Sequence, residues 1–324
     1  MSSQSSSSLG YITWLKTIQK DIYQIGGLIL LTLGGISCLI NIIIFSKKIL
    51  RKNPCSIYLI AFNIATFLFL YSSFLNGIIS IGFETDLGTM NLTYCRSRIY
   101  ISYISELLTS YFLILASIDR VRITSSNTLT RNKSTCRLAV LSIIVGILIC
   151  IPLQLHTVFF TNMIALTSVR IVCYYQPGTY VAFVGYYILI KAVSVPILLA
   201  IFGSWAIHNV RALQKVRTVP TSIHNQSATN TGGSRSRSKD RQLLLLLLVD
   251  IAGFVCFTVF LGVFLMYQQI TQYNTKSSEQ TQLEQVIRNV CFYVNYIPYC
   301  LNCYTHLFVS KTFRTEVKQL LLFK

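Results

Sequence analysis

The stretch CRSRIYISYISELLTSYFLILASIDRV, residues 95–121, decides the fold. Taken as an α-helix, the 25 residue steps from Cys95 to Arg120 rise roughly 37 Å at ~1.5 Å each. The hydrocarbon core of a bilayer is about 30 Å thick. The segment therefore carries a cysteine to one membrane face and the Asp119-Arg120 pair to the other. A thiol suits an oxidising exterior and an ion pair suits a cytosolic rim. One stretch of sequence thus predicts a membrane crossing and its direction.

Composition agrees. Of 324 residues, 53% are hydrophobic and 12% charged, with a mean hydropathy of +0.57; a soluble domain carries about twice that charge. The formal net charge of +18 could suggest nucleic acid, but the apolar content argues against that partner. Apolar stretches near Ile25–Phe45, Ser56–Ile81, Arg98–Ile118, Leu138–Val158, Tyr180–Ala206, Gln242–Tyr267 and Val286–Leu307 are each long enough to cross as helices. The alternating ten-residue strands of a membrane barrel are not evident. The expected fold is an all-α membrane protein, a seven-helix bundle with a short amphipathic helix at its C-terminal end. The Ser-rich start lacks the basic and short apolar regions of a cleaved signal peptide.

The basic residues set the orientation. Lys47, Lys48, Arg51 and Lys52 follow the first apolar stretch; Arg120, Arg122, Arg131, Lys133 and Arg137 follow the third. Arg211, Lys215, Arg217, Arg235, Arg237, Lys239 and Arg241 follow the fifth, and Lys311, Arg314, Lys318 and Lys324 the seventh. These are 20 of the 28 basic residues. By the positive-inside rule the N-terminus is outside, and the positive inner face meets anionic lipid. Residues 1–24 are then a short external segment, 25–310 the bundle, and 311–324 a helix at the inner surface. Phe313, Val317, Leu320 and Leu321 recur there at helical spacing among basic residues. The polar, Ser/Thr/Asn/Gly-rich run within 207–241 reads as a disordered internal loop.

Ten cysteines could indicate a disulfide scaffold, but only Cys95 and Cys173 fall outside in this topology. Thiols in the cytosol stay reduced, and those in the helices read as small apolar residues. Metal-ligand spacings and a nucleophile–base pair are not evident. No cofactor is implied, and an enzyme is disfavoured.

Asp119-Arg120-Val121, on the third of the apolar stretches, resembles the Asp-Arg-Tyr motif of rhodopsin-like G protein-coupled receptors, with Val121 in place of the Tyr. The likeness runs from Asn41 to Arg314. Asn41, with Gly34 and Gly35 before it, resembles the family's buried first-helix Asn, Pro196 its fifth-helix Pro, and Lys311-Thr312-Phe313-Arg314 the start of its eighth helix. Asn302-Cys303-Tyr304-Thr305-His306 stands where the family has Asn-Pro-x-x-Tyr, with Cys303 for the Pro and His306 for the Tyr. Cys256-Phe257-Thr258-Val259-Phe260 stands near the sixth-helix Cys-Trp-x-Pro motif, with Phe260 for the Pro. The second helix has Asn63 and Thr66 but no Asp. The overall look is similar to divergent invertebrate neuropeptide receptors.

The resemblance implies a plasma-membrane receptor with an extracellular, peptide ligand and a heterotrimeric G protein as partner. It implies a Cys95–Cys173 bridge, and an inner clamp in which Arg120 lies between Asp119 and Asp240. It implies an activation core of Asn41, Asp250, Phe260, Asn302 and His306, with Asp250 standing in for the absent second-helix Asp and touching Asn302 or Asn41. Charges inside a membrane each cost roughly 2.5–3.5 kcal/mol on insertion scales, so Glu106 and Lys191 either line a ligand cavity with Arg288 or pair with each other. Ser102 occupies the place of the aminergic Asp, which disfavours amine ligands; the lack of Lys in 289–310 rejects retinal. Of the sequons at Asn91, Asn132 and Asn225, only Asn91 lies outside. Two other readings stay open. The altered sixth- and seventh-helix motifs suit a non-signalling ligand binder, and a transporter or channel is a third possibility, although the repeats and broken helices of transporters are not evident.

Overall fold

The structure is a computed structural model that describes residues 2–85, 87–89, 91–165, 171–218, 231–272 and 274–322. The side chains of 2–9, 49, 165, 213–218, 231–241, 312 and 321 are outside that description. Long helices dominate: α1 (Ser2–Asp21), α2 (Gly27–Ser46), α3 (Pro54–Phe69), α4 (Leu92–Ile123), α5 (Cys136–Leu153), α6 (Thr179–Thr218), α7 (Thr231–Ile270), α8 (Ser278–Val309) and the short α9 (Lys311–Leu321). A π-turn at Ile22–Gly26 joins α1 to α2, and alternating π- and α-turns carry α3 on to Gly82.

Local chemistry explains where the helices begin. Asn53, Asn91, Thr135, Ser277 and Ser310 each accept a backbone N–H at a helix start, which satisfies donors the helix leaves unpaired. Pro54 follows Asn53 at the first helical position, where its fixed φ fits and its missing N–H does no harm.

Packing closes a ring. Helix α2 lies against α3 and α8, α3 against α4 and α5, α4 against α6, α6 against α7, and α7 against α8. Helix α4 also touches α5 and α7, so it is the central element. Its buried face is rich in small hydroxyl residues, Ser102, Ser105, Thr109, Ser110 and Ser117, which let neighbours approach closely. Thr109 and Ser117 turn their hydroxyls back onto carbonyls of the preceding turn, at 2.7 and 2.8 Å, so the hydroxyls are satisfied without water. At Gly34 even a Cβ would fall 2.8 Å from Cys300 Sγ and 2.9 Å from Leu70 Cδ1.

Six helices among the described residues are long and apolar enough to cross a membrane: Gly10–Ser46, Pro54–Gly82, Leu92–Ile123, Cys136–Phe159, Thr179–Ala212 and Gln242–Ile270. Their outward faces carry Leu141, Leu148, Ile149, Ile190, Ile197 and Val263, all exposed, a girdle that water would not tolerate at this extent. Helix α8 completes the ring but is not among the six. Glu279, Gln280, Gln282, Glu284, Gln285 and Arg288 crowd its first third.

Other details differ from the sequence reading. Helix α1 occupies most of the stretch read as a short external segment, and Lys16 and Lys20 join it to Gln282 and Glu84 at 2.7 and 3.0 Å. Regular helix also enters the 207–241 stretch from both sides, through Thr218 and from Thr231; the remaining twelve residues, 219–230, lie outside the description. Strands β1 (Thr161–Ala165) and β2 (Ile171–Tyr175) form an antiparallel hairpin with Met163 opposite Cys173.

Candidate functional site: a polar column through the bundle

Beginning at the Cys95 end, a disulfide joins Cys95, at the start of α4, to Cys173 in β2. Arg96 Nε donates to the Thr161 carbonyl at 3.0 Å, so both strands are tied to α4. Under the hairpin lies an aromatic group. Tyr175 donates to the Tyr103 hydroxyl at 2.7 Å, Tyr103 stacks on Tyr187, and Gln154 Nε2 donates to the Tyr187 hydroxyl at 2.6 Å.

One turn deeper than Tyr103, Glu106 meets Lys191 of α6 at 2.5 Å. Of the two options open for these charges, direct pairing is what the geometry gives. Lys191 also lies 5.8 Å from the Tyr187 ring centroid, a cation–π distance. Ser102 is buried on the same helix, but its hydroxyl bonds back to the Arg98 carbonyl at 2.9 Å. Arg288 is half-buried on α8 and joins none of the ion pairs found among the described residues. The expected four-residue pocket is thus brought together only at Glu106 and Lys191.

In the middle of the bundle, Asn41 Nδ2 donates to Asn63 Oδ1 and to Asn302 Oδ1, each at 3.0 Å. The three amides come from α2, α3 and α8. Next to them Asp250 of α7 meets His306 Nε2 of α8, with both carboxylate oxygens at 3.0 Å. His306 is fully buried. Asn302 lines the same cavity as Asp250; the His306 contact was not foreseen. Phe62, Leu113, Asp250, Phe257, Tyr299 and Asn302 line a cavity of about 100 Å³ here.

Phe260 does not join this core. It is 63% exposed on the outer side of α7, while Leu243, Leu246, Leu247, Asp250, Phe254 and Leu261 face inward. From Leu243 on, α7 is apolar on nearly every side apart from Asp250, so little in its pattern fixed the register, and Phe257 lines the cavity instead. Pro298, one turn before Asn302 and inside α8, was legible as a helix-perturbing residue and was passed over.

At the other end of α4, Arg120 is 1% exposed. Its Nη2 donates to Asp119 Oδ2 at 2.9 Å and to Asn53 Oδ1 at 2.5 Å. The second oxygen of Asp119 accepts from Ser134 Oγ. The clamp residue predicted on α7, Asp240, has its side chain outside the described residues. Asn53 and Ser134 were missed as Arg120-end partners. Their sequence signals, an Asn-Pro helix start and a Ser before a helix cap, point to capping rather than to a distant arginine.

Beside this end, α9 packs its apolar side on the bundle, with the Phe313 ring 5.4 Å from His306 and 6.0 Å from Phe45. Lys47 Nζ meets Glu316 Oε2 at 2.7 Å. Phe313 and Val317 are therefore covered by protein rather than turned outward. Asn91, the sequon at the Cys95 end of α4, is exposed and uses its Oδ1 to cap α4 through Thr93 N–H.

No protein-family model matches the chain, and a search of curated proteins finds no significant match.

Proposed function

We propose that this chain is a seven-helix receptor of the rhodopsin-like kind, lying in the plasma membrane with its N-terminus outside and α8 as the seventh crossing. On this reading it binds an extracellular peptide at the hairpin end and activates a heterotrimeric G protein at the Arg120 end. One observation carries the proposal. A guanidinium almost without solvent exposure sits at the end of the central helix, held by Asp119 and by a neutral amide, Asn53. A buried cation is costly unless paired, and this one is paired through contacts that movement of neighbouring helices can exchange. Separate buried polar groups stand between that cation and the tyrosine-rich, disulfide-tethered end, where an acid–base pair and aromatic rings suit a peptide.

The alternative, a non-signalling binder of the same fold, has its own support. Outward swing of the Arg120 end of α7 would separate Asp250 from His306, a buried pair whose rupture is costly. Nucleotide exchange on G proteins, measured in membranes of cells exposed to a neuropeptide library, separates the two readings. The receptor reading expects a peptide that stimulates exchange, and Arg120→Ala should abolish the response while the peptide still binds. A peptide that binds wild type without exchange favours the non-signalling binder, whereas undiminished exchange in Arg120→Ala overturns the role given to Arg120.

A further inference from the structure

Ser134 lies in a three-residue link, between a short helix at Thr128–Asn132 and the start of α5. Arg131, Lys133 and Arg137 stand within three residues of it on both sides, and all three are exposed. In the orientation proposed above this loop is cytosolic, so the sequon ending at Ser134 receives no glycan. The same residues then present a hydroxyl flanked by cations to cytosolic enzymes. That hydroxyl is not idle: Oγ donates to Asp119 Oδ1, while Asp119 Oδ2 holds Arg120.

We propose that Ser134 is a phosphorylation site for a basophilic protein kinase, and that its modification detaches this loop from the Asp119–Arg120 pair. The kinase transfers the γ-phosphoryl group of ATP. A bond forms from Ser134 Oγ to phosphorus, the bond from phosphorus to the β–γ bridging oxygen breaks, ADP leaves, and the hydroxyl proton goes to solvent. The product has no hydroxyl hydrogen to give Asp119. It instead carries a charge of about −1.5 to −2 where a carboxylate already stands. Repulsion from Asp119 drives the phosphate off; Arg120 attracts it, but that guanidinium is already held by Asp119 and Asn53, whereas Arg131, Lys133 and Arg137 are exposed cations of the loop itself. The strut between the loop and the Arg120 site becomes a wedge. The inference rests on the cytosolic placement of the loop.

Cys136 provides a readout independent of any signalling. Its thiol donates to the Lys52 carbonyl at 3.2 Å, in the link before α3, so it is held while the loop is docked. The full-length chain in inside-out membrane vesicles is treated with ATP and the catalytic fragment of protein kinase C. Peptide mass spectrometry should find phosphate on Ser134 of wild type and none at position 134 in Ser134→Ala. Ser134→Thr, which keeps donor and acceptor, should be modified as wild type is. Losing one hydrogen bond to a charged group should speed maleimide labelling of Cys136 about tenfold in phosphorylated molecules. Phosphate on the serines at 234, 236 and 238 with none on Ser134 overturns the site, as does phosphate nowhere. Phosphate on Ser134 with unchanged Cys136 labelling overturns the detachment. A glycan on Asn132 would refute the orientation itself, whereas a bare Ser134 beside an unglycosylated Asn132 refutes only the phosphorylation.

Discussion

Replacing Asn53 separates two contacts made by one oxygen. Asn53 Oδ1 accepts from Arg120 at 2.5 Å and from the Cys55 N–H at 3.1 Å. A hydrogen bond to a charged group contributes about 1.5–3 kcal/mol, and a helix N-cap about 1 kcal/mol. Asp119 still holds Arg120 after the change, so the lower end of the first range applies. Roughly 1.4 kcal/mol moves a small active population about tenfold. Asn53→Ala should therefore raise basal G-protein nucleotide exchange about tenfold and lower the melting temperature through the lost cap. Asn53→Ser keeps a capping oxygen but is one bond too short to reach Arg120. It should give the same rise in basal exchange with a melting temperature near wild type. Asn53→Asp keeps both contacts and turns the acceptor into an anion, so basal exchange should fall below wild type. The assay is loading of a non-hydrolysable GTP analogue at matched surface density, with melting of the purified protein alongside. The reasoning fails if Asn53→Ser behaves as wild type while Asn53→Ala rises, since the cap would then be responsible. It also fails if Asn53→Asp signals more strongly than Asn53→Ala.

Three further outcomes test other parts of the column. Cys95→Ala or Cys173→Ala should reduce surface expression and ligand binding together, because the bridge closes a loop of 78 residues, worth about 2–4 kcal/mol in typical cases; free alkylation of both thiols on intact cells would show that the bridge is absent. Glycan mapping should find sugar on Asn91 and none on Asn132 or Asn225, and sugar on either of the latter reverses the orientation. His306→Ala should destabilise the protein by about 3–5 kcal/mol by stranding a buried carboxylate, whereas Asp250→Leu with His306→Leu should cost far less; thermal melting that shows simple additivity of the single Leu variants would mean the pair is not coupled.

The central helix was legible because its argument needed only helical rise. Cys95 and Arg120 had to lie at opposite ends, and α4 runs through both. Helix α8 was harder to read as apolar, since its first third bears Glu284 and Arg288; the packing of α8 against α2 and α7 brings it into the ring. Pairing across distant segments was mostly hidden. Asp250 and His306 are 56 residues apart, and each alone could have met several polar groups. Sequence patterning also could not orient α7: six consecutive leucines, 243–248, look alike from every side, so Phe260 was assigned to the core and lies outside it. The partners of Arg120 escaped for another reason. Asn53 and Ser134 belong to helix starts, where a local role suffices to explain them.

The amide triad has a consequence for inheritance. Asn41 directs both hydrogens of one nitrogen to two acceptors, on helices encoded 22 residues downstream in one case and 261 in the other. No hydroxyl can fork in that way, and a carboxylate at 41 would meet two oxygens instead of supplying two hydrogens. Drift at position 41 is therefore tolerable only in company with changes at 63 and 302. In a lineage descending from this gene the three sites should alter together or not at all, and a homologue that keeps two of the asparagines while losing Asn41 should have rotated one of the three helices.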